Sequence, residues 1–140
     1  MIKECLNCKG PRKPYSTKYC SLKCQHAYQS AEVIRKWLAG EIPGGNIWGI
    51  SETIRNYLFI KFDSKCVKCK WGEMNPTTGR VPLEVNHIDG NWDNNKEENL
   101  ELVCPNCHSL TSNFRSLNNG SGRHKKIVAM GFAAFTKPAT

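Results

Sequence analysis

The sequence predicts a small α+β protein. Three observations predict it: a helical periodicity after residue 21, a strand–loop–strand–helix order between residues 81 and 110, and eight cysteines in two sets of four. A chain of 140 residues holds one compact domain or two small ones. Apolar residues make up 39% of it and five are Phe, so the core is thin. Small domains of that kind lean on disulfides or a structural metal.

The cysteines decide between the two. Cys5-x2-Cys8-x11-Cys20-x3-Cys24 closes one set, and gaps of two or three residues let both thiolates of a pair reach one tetrahedral zinc. Cys66-x2-Cys69-x34-Cys104-x2-Cys107 repeats the paired knuckles across a longer loop and uses every remaining cysteine. Disulfides are the competing reading, but Met1 to Cys8 holds no apolar run of the kind that directs export, so reduced thiols are expected. Four protein ligands leave zinc no open position, so both ions are predicted to be structural and the chemistry to lie elsewhere.

The elements follow in order. Ser21 is placed to cap a helix in which Cys24, Ala27, Tyr28, Ala31, Ile34 and Leu38 recur at three- and four-residue steps, with Gly40 as its stop. Glu41-Ile-Pro-Gly-Gly-Asn46 reads as a loop and a module boundary. Ser51 caps a second helix with Ile54, Leu58 and Phe62 as an apolar stripe and Arg55 and Lys61 facing outward. Val81 to Val85 alternates as a strand, Asp89-Gly90 breaks it, and a polar loop runs to Glu98. Leu100 to Val103 forms the second strand, and Pro105 stands where the first turn of a helix begins. The chain divides into a four-cysteine finger plus helix (1–40), a linker and helix (41–65), a zinc-stabilised domain (66–117) and a basic, flexible tail (118–140).

Charge and hydropathy narrow the partners. The longest apolar run, Ile127 to Phe135, is interrupted by Gly131 and falls short of the roughly 18 residues a membrane span requires. The net charge is +8, yet residues 81–110 alone carry one basic and six acidic groups. Two zinc ions on four thiolates each would lower the total to about +4, still basic. A basic body around one acidic patch suits a polyanion binder with a metal-handling or reactive site; a solvated surface with ordinary fluctuation is the plainer alternative. Arg12, Lys13, Lys18, Lys23, Arg35, Lys36, Arg115, Arg123, Lys125 and Lys126 are the candidate phosphate contacts.

The stretch Leu83-Glu-Val-Asn86-His87-Ile-Asp89-Gly90-Asn91, with Asn99-Leu-Glu-Leu-Val-Cys104-Pro-Asn-Cys107-His108, resembles the HNH nuclease family, whose catalytic unit is called ββα-metal. His87, Asn99 and His108 stand at the family's three signature places, on a strand end, the second strand and the helix. The flanking cysteine pairs resemble its zinc-stabilised branch, and the whole chain is similar to phage-encoded, free-standing homing endonucleases. The resemblance implies a DNA endonuclease acting as a monomer on double-stranded DNA in the cytoplasm of an infected bacterial host. It implies no small-molecule organic cofactor, and products with 5′-phosphate and 3′-hydroxyl ends. It also implies that Asn86 is a metal ligand through its amide oxygen, and that Asn99 orients the loop rather than touching substrate.

The residues themselves support roles of this kind. Phosphodiester hydrolysis needs a base for water, a cation for the phosphate and support for the departing oxygen. A neutral imidazole suits His87 to the base role, and His108 can ligate one catalytic Mg²⁺ or Mn²⁺ while the helix N-terminus faces the phosphate. Asn86 adds no charge to that site, and as a strand neighbour of His87 it shares a site only if the strand bends, for which Asp89-Gly90 offers a place. Thr111, Ser112 and Arg115 follow His108 at helical spacing and are expected on its face. Three alternatives stand beside this reading: His108 on the second zinc, a zinc-dependent DNA-binding or regulatory module without activity, and a nuclease for RNA or a structured junction. A calcium loop from Asp89 fails, since position six is Asn94 and position twelve is Leu100.

Overall fold

The structure, a computed structural model, describes residues 3–118. It is a small α+β protein with short antiparallel sheets, in two compact units that divide between Ile42 and Pro43.

The first unit is a cysteine knuckle and a helix. Around Cys5 the chain reverses tightly: the Cys5 N–H donates to Gly10 O (2.9 Å) and the Lys9 N–H returns to Cys5 O (3.0 Å), with Lys9 at φ +60°. Helix α1 (Leu22–Leu38) starts because Ser21 Oγ accepts from the Cys24 N–H at 3.2 Å, and it is followed by Gly40 at φ +75°. Arg35 near its end pairs with Glu32 and Glu41.

The second unit opens with a hairpin, β1 (Gly45–Asn46) and β2 (Gly49–Ile50), followed by α2 (Glu52–Lys61). Ser51 Oγ caps α2 through the Ile54 N–H (3.3 Å), and Ile54 and Leu58 are fully buried. Phe59 and Phe62 pack against a core of Cys66, Val81, Leu83, Leu102, Val103 and Cys104, so α2 belongs to this core. Lys61 is exposed, as expected, and donates to Glu97 Oε1 at 2.7 Å, an oxygen that also accepts from Tyr57 at 2.6 Å.

Strand β3 (Glu84–His87) pairs antiparallel with β4 (Leu100–Val103), with Glu84 opposite Val103 and His87 opposite Leu100. The first strand thus begins three residues later than the alternation from Val81 predicts. Pro82 has no N–H for a ladder, and the Leu83 N–H turns back to Val81 O at 2.8 Å. Asn99 ends a 3-10 turn (Glu97–Asn99) just before β4, not on the strand itself. Helix α3 (Pro105–Ser109) is only five residues long. Thr111 Oγ1 bonds the His108 carbonyl at 2.8 Å and closes it, so Thr111, Ser112 and Arg115 do not continue the helical face of His108. Arg115 lies in its own 3-10 turn (Arg115–Leu117), with its guanidinium 5.0 Å from the Phe114 ring centroid.

Candidate metal centres and catalytic site

Each cysteine set converges. The four sulfurs of Cys5, Cys8, Cys20 and Cys24, and those of Cys66, Cys69, Cys104 and Cys107, lie within 4.8 Å of one another. Individual separations are 3.7 Å for Cys8–Cys20, 3.4 Å for Cys20–Cys24 and 3.7 Å for Cys69–Cys104. Zinc–sulfur bonds of 2.3 Å put tetrahedral sulfurs about 3.8 Å apart, whereas a disulfide needs about 2 Å. All eight thiols are free, and both sets fit zinc.

Backbone hydrogen bonds, that at Cys8 foremost, bring Cys5 down to about 6 against the effect of burial. Burial pushes Cys66 up, but backbone hydrogen bonds at Cys104, Cys69 and Lys68 outweigh it and leave that thiol at about 6. Hydrogen bonding to Cys24 pushes Cys20 up to about 12, and hydrogen bonding to Cys104 pushes Cys107 up to about 12. Sulfurs so crowded ionise together only around a cation.

The regular β3–β4 ladder sorts the motif residues by face. Alternation puts Glu84 and Asn86 on one side with Glu101, and Val85 and His87 on the other with Leu100 and Leu102. The expected bend comes after this pair, where the Gly90 N–H donates to His87 O (2.9 Å) and Gly90 takes φ +74°. Asn86 is buried, 6% exposed, and its Nδ2 donates to Glu101 Oε1 at 2.8 Å. Lys68 stands 3.4 Å from that same carboxylate oxygen. The Asn86 Oδ1 has no partner among the described residues, as suits an oxygen that ligates a cation. His108 reaches the same side, because its Nδ1 bonds Glu84 Oε2. A carboxylate can only accept, so Nδ1 is the donor, and in a neutral imidazole the lone pair is then on Nε2. Its ring also meets Phe114 edge to face at 5.2 Å. Among the described residues the second cysteine set is complete without His108.

His87, the last residue of β3, is held through its neighbours. Its Nε2 lies 2.7 Å from Asn95 Oδ1, and Asn113 Nδ2 donates to its carbonyl (3.0 Å) and to that of Ile88 (3.2 Å). Asn99 Oδ1 accepts from the Asp89 N–H at 3.0 Å, while its Nδ2 donates to Asp89 Oδ1 (2.9 Å) and to Asn94 O (2.8 Å). Burial raises the Asp89 carboxyl, but Asn94, the Asn91 N–H and Asn99 outweigh it and hold it below its usual range. The turn after His87 is therefore locked to Asn99, the residue that precedes β4.

In the first turn of α3, where N–H groups are expected to face a phosphate, two positions offer none. Pro105 has no N–H, and that of Cys107 points at Cys104 Sγ (3.4 Å). Of the candidate phosphate contacts, Arg35 is engaged by two carboxylates, Lys36 and Arg115 are exposed, and Arg123, Lys125 and Lys126 lie outside the described residues. Glu84, Glu101, Asn95 and Asn113 were not singled out from sequence. Glu84 alone carried a signal, standing two residues before Asn86 on the same strand face.

No protein-family profile matches the chain, and no solved structure matches it. Over 40 residues the chain is 52% identical to the H-N-H endonuclease F-TflIV of Escherichia phage T5, a stretch covering 29% of this chain and 18% of that protein. The chain thus spans under a fifth of the length of the relative it matches. Across that stretch it is similar to a phage HNH endonuclease, and its two four-cysteine clusters fit zinc sites as the sequence predicts.

Proposed function

We propose that the chain is a metal-dependent DNA endonuclease of the HNH type, in which β3, β4 and α3 form a ββα-metal unit at residues 66–117. One observation carries the reading: a buried amide oxygen on Asn86 and the Nε2 of His108 stand without partners among the described residues, and the other polar atom of each side chain is engaged by a carboxylate of the same β3–β4 face, Glu101 and Glu84. The similarity to a phage endonuclease supports it.

Asn86 and His108 would hold one Mg²⁺ or Mn²⁺, with water and DNA phosphate completing its shell. When bound, the ion neutralises the phosphate and supports the departing 3′ oxygen. His87, on the other face of β3 but at its end, where the turn closed at Gly90 begins, would take the proton from the attacking water, leaving 5′-phosphate and 3′-hydroxyl ends. Glu101 orients the Asn86 amide, Glu84 orients the His108 ring, and Asn99 fixes the turn that follows the base. Residues 1–40 serve as a DNA-binding finger, residues 41–65 lead into the nuclease unit, and basic side chains position a duplex by its phosphates. No helix of the described residues is long and apolar enough to cross a membrane. The reading extends to a monomer acting in the cytoplasm of a phage-infected cell, as a homing endonuclease.

Plasmid DNA incubated with the zinc-loaded protein and Mg²⁺ or Mn²⁺, followed by mapping of the ends, tests this. Wild type cleaves to leave 5′-phosphates. His87→Ala keeps both zinc ions and its DNA affinity while turnover falls about 10²–10⁴-fold, the usual contribution of a positioned base. Wild type that binds DNA and never cleaves across metals and substrates would make the chain a binding module, and a His87→Ala protein that nicks normally would remove His87 from the base role.

A further inference from the structure

We propose that Asn95 is the positioning residue of the base: its amide oxygen fixes His87 as the Nε2–H tautomer and turns Nδ1 toward the attacking water. The proposal rests on the nuclease reading above and names the atom that does the work.

An amide oxygen only accepts, so at 2.7 Å from Asn95 Oδ1 the His87 Nε2 must be the donor. A neutral imidazole carries one N–H, and with the proton on Nε2 the lone pair is on Nδ1. That nitrogen has no partner among the described residues. The contact also sets the ring's rotation about Cβ–Cγ, because a ring turned over would present carbon to the amide.

Asn95 is built to hold its place. It is 6% exposed, whereas Asn91, Asp93, Lys96 and Glu98 around it in the loop are exposed. The carbonyls on either side of it are both taken by Asn99: Asn94 O accepts from Asn99 Nδ2 at 2.8 Å and Lys96 O from the Asn99 N–H at 3.0 Å. The hairpin backs its amide, for a Cβ added to Gly45 would stand 3.1 Å from Asn95 Nδ2. Asn99 therefore reaches the base by two routes, through the turn at Asp89 and through Asn95, which gives the central residue of the motif a mechanical reason to be where it is.

The test is the ring nitrogen spectrum of His87 in the full-length, zinc-loaded protein, above the imidazole's usual pKa of about 6.5, read together with steady-state cleavage. Wild type shows the neutral Nε2–H form. Asn95→Leu, which keeps the shape and removes the acceptor, shows a mixture of tautomers, and kcat falls about 10–100-fold while KM for DNA stays within about twofold, the pattern of a misplaced catalytic group. Asn95→Asp restores an acceptor, the Nε2–H form and most of kcat. A purely structural Asn95 would lower the melting temperature of both variants and leave the tautomer and the kcat of the folded protein unchanged, which would overturn the proposal. Cleavage by a wild type whose His87 carries its proton on Nδ1 would overturn it while leaving the nuclease reading intact. A wild type locked as Nε2–H that never cleaves would overturn the nuclease reading and leave Asn95 as the residue that sets the ring.

Discussion

The two cysteine knuckles are one device in two surroundings. Cys5 and Cys66 each donate a backbone N–H five residues ahead, to Gly10 and Trp71, and each accepts from a lysine at positive φ, Lys9 at +60° and Lys70 at +65°. Around the first knuckle, Cys5 and Trp37 are the only side chains of the unit that are buried among the described residues. Around the second, Cys66 and Cys104 are part of an apolar cluster with Val81, Leu83, Leu102 and Val103. A metal that is nearly all of one core and a supplement to the other should be missed to different degrees.

The largest expected effect comes from removing one ligand in each unit. Structural zinc contributes about 10–16 kcal/mol in small zinc-folded domains, as much as the whole stability of an ordinary domain, about 5–15 kcal/mol. Cys8→Ser should leave one zinc per chain and abolish amide protection throughout α1 while protection in β3 and β4 persists. Cys69→Ser should also leave one zinc, but with residual protection in α2 and β4. Equal collapse of both units under amide exchange would show that the apolar cluster adds nothing.

A smaller effect isolates that cluster. Leu102 is fully buried, and Leu102→Ala should cost about 2–5 kcal/mol in urea or thermal unfolding of the second unit, with both zinc ions retained. A change well below that range would mean that zinc alone closes the unit.

The smallest effect is electrostatic. Lys61 first, and then Tyr57, hold the Glu97 carboxyl below its usual 4.5. A depressed carboxylate contributes stability that is fully present above the unfolded value and is lost as pH falls from about 4.5 through the folded one. Glu97→Gln should therefore flatten the acid dependence of the second unit there and cost under about 1 kcal/mol at neutral pH, since the pair is partly exposed. The pairs that Arg35 makes in the first unit are about half exposed, so replacing Glu41 by Gln should leave its acid dependence unaltered.

The same contrast between local and assembled structure explains what the sequence disclosed. Knuckles, Ser21 and Ser51 as caps, and Leu100 to Val103 as a strand depend on neighbours in the chain, and all could be read in order. The start of β3 was misjudged because alternation continues through Val81 and Leu83 although Pro82 cannot join a ladder. The end of α3 was invisible because it depends on Thr111 competing for the His108 carbonyl and on Asn113 leaving to bind His87 O and Ile88 O, 26 and 25 residues back. In the candidate site, the motif residues and their order were legible. Their second partners were not: Glu84 meets His108 across 24 positions, and Asn95 meets His87 only once Asn99 has closed the loop.

The span from Trp71 to Arg80 contributes no buried side chain, and one bridge between Asn75 and Arg80, with Asn75 Oδ1 taking the N–H groups of Thr77 and Thr78, gives it what shape it has. It is tied to the knuckle at its start, where Trp71 O accepts from the Cys66 N–H at 2.8 Å, and runs from there toward the strand with every side chain as far as Arg80 exposed. Because doubling a flexible loop costs only about 0.6 kcal/mol, this is the place where the protein can lengthen, acquire a tag or be fused to another domain while the arrangement around His87 is left undisturbed.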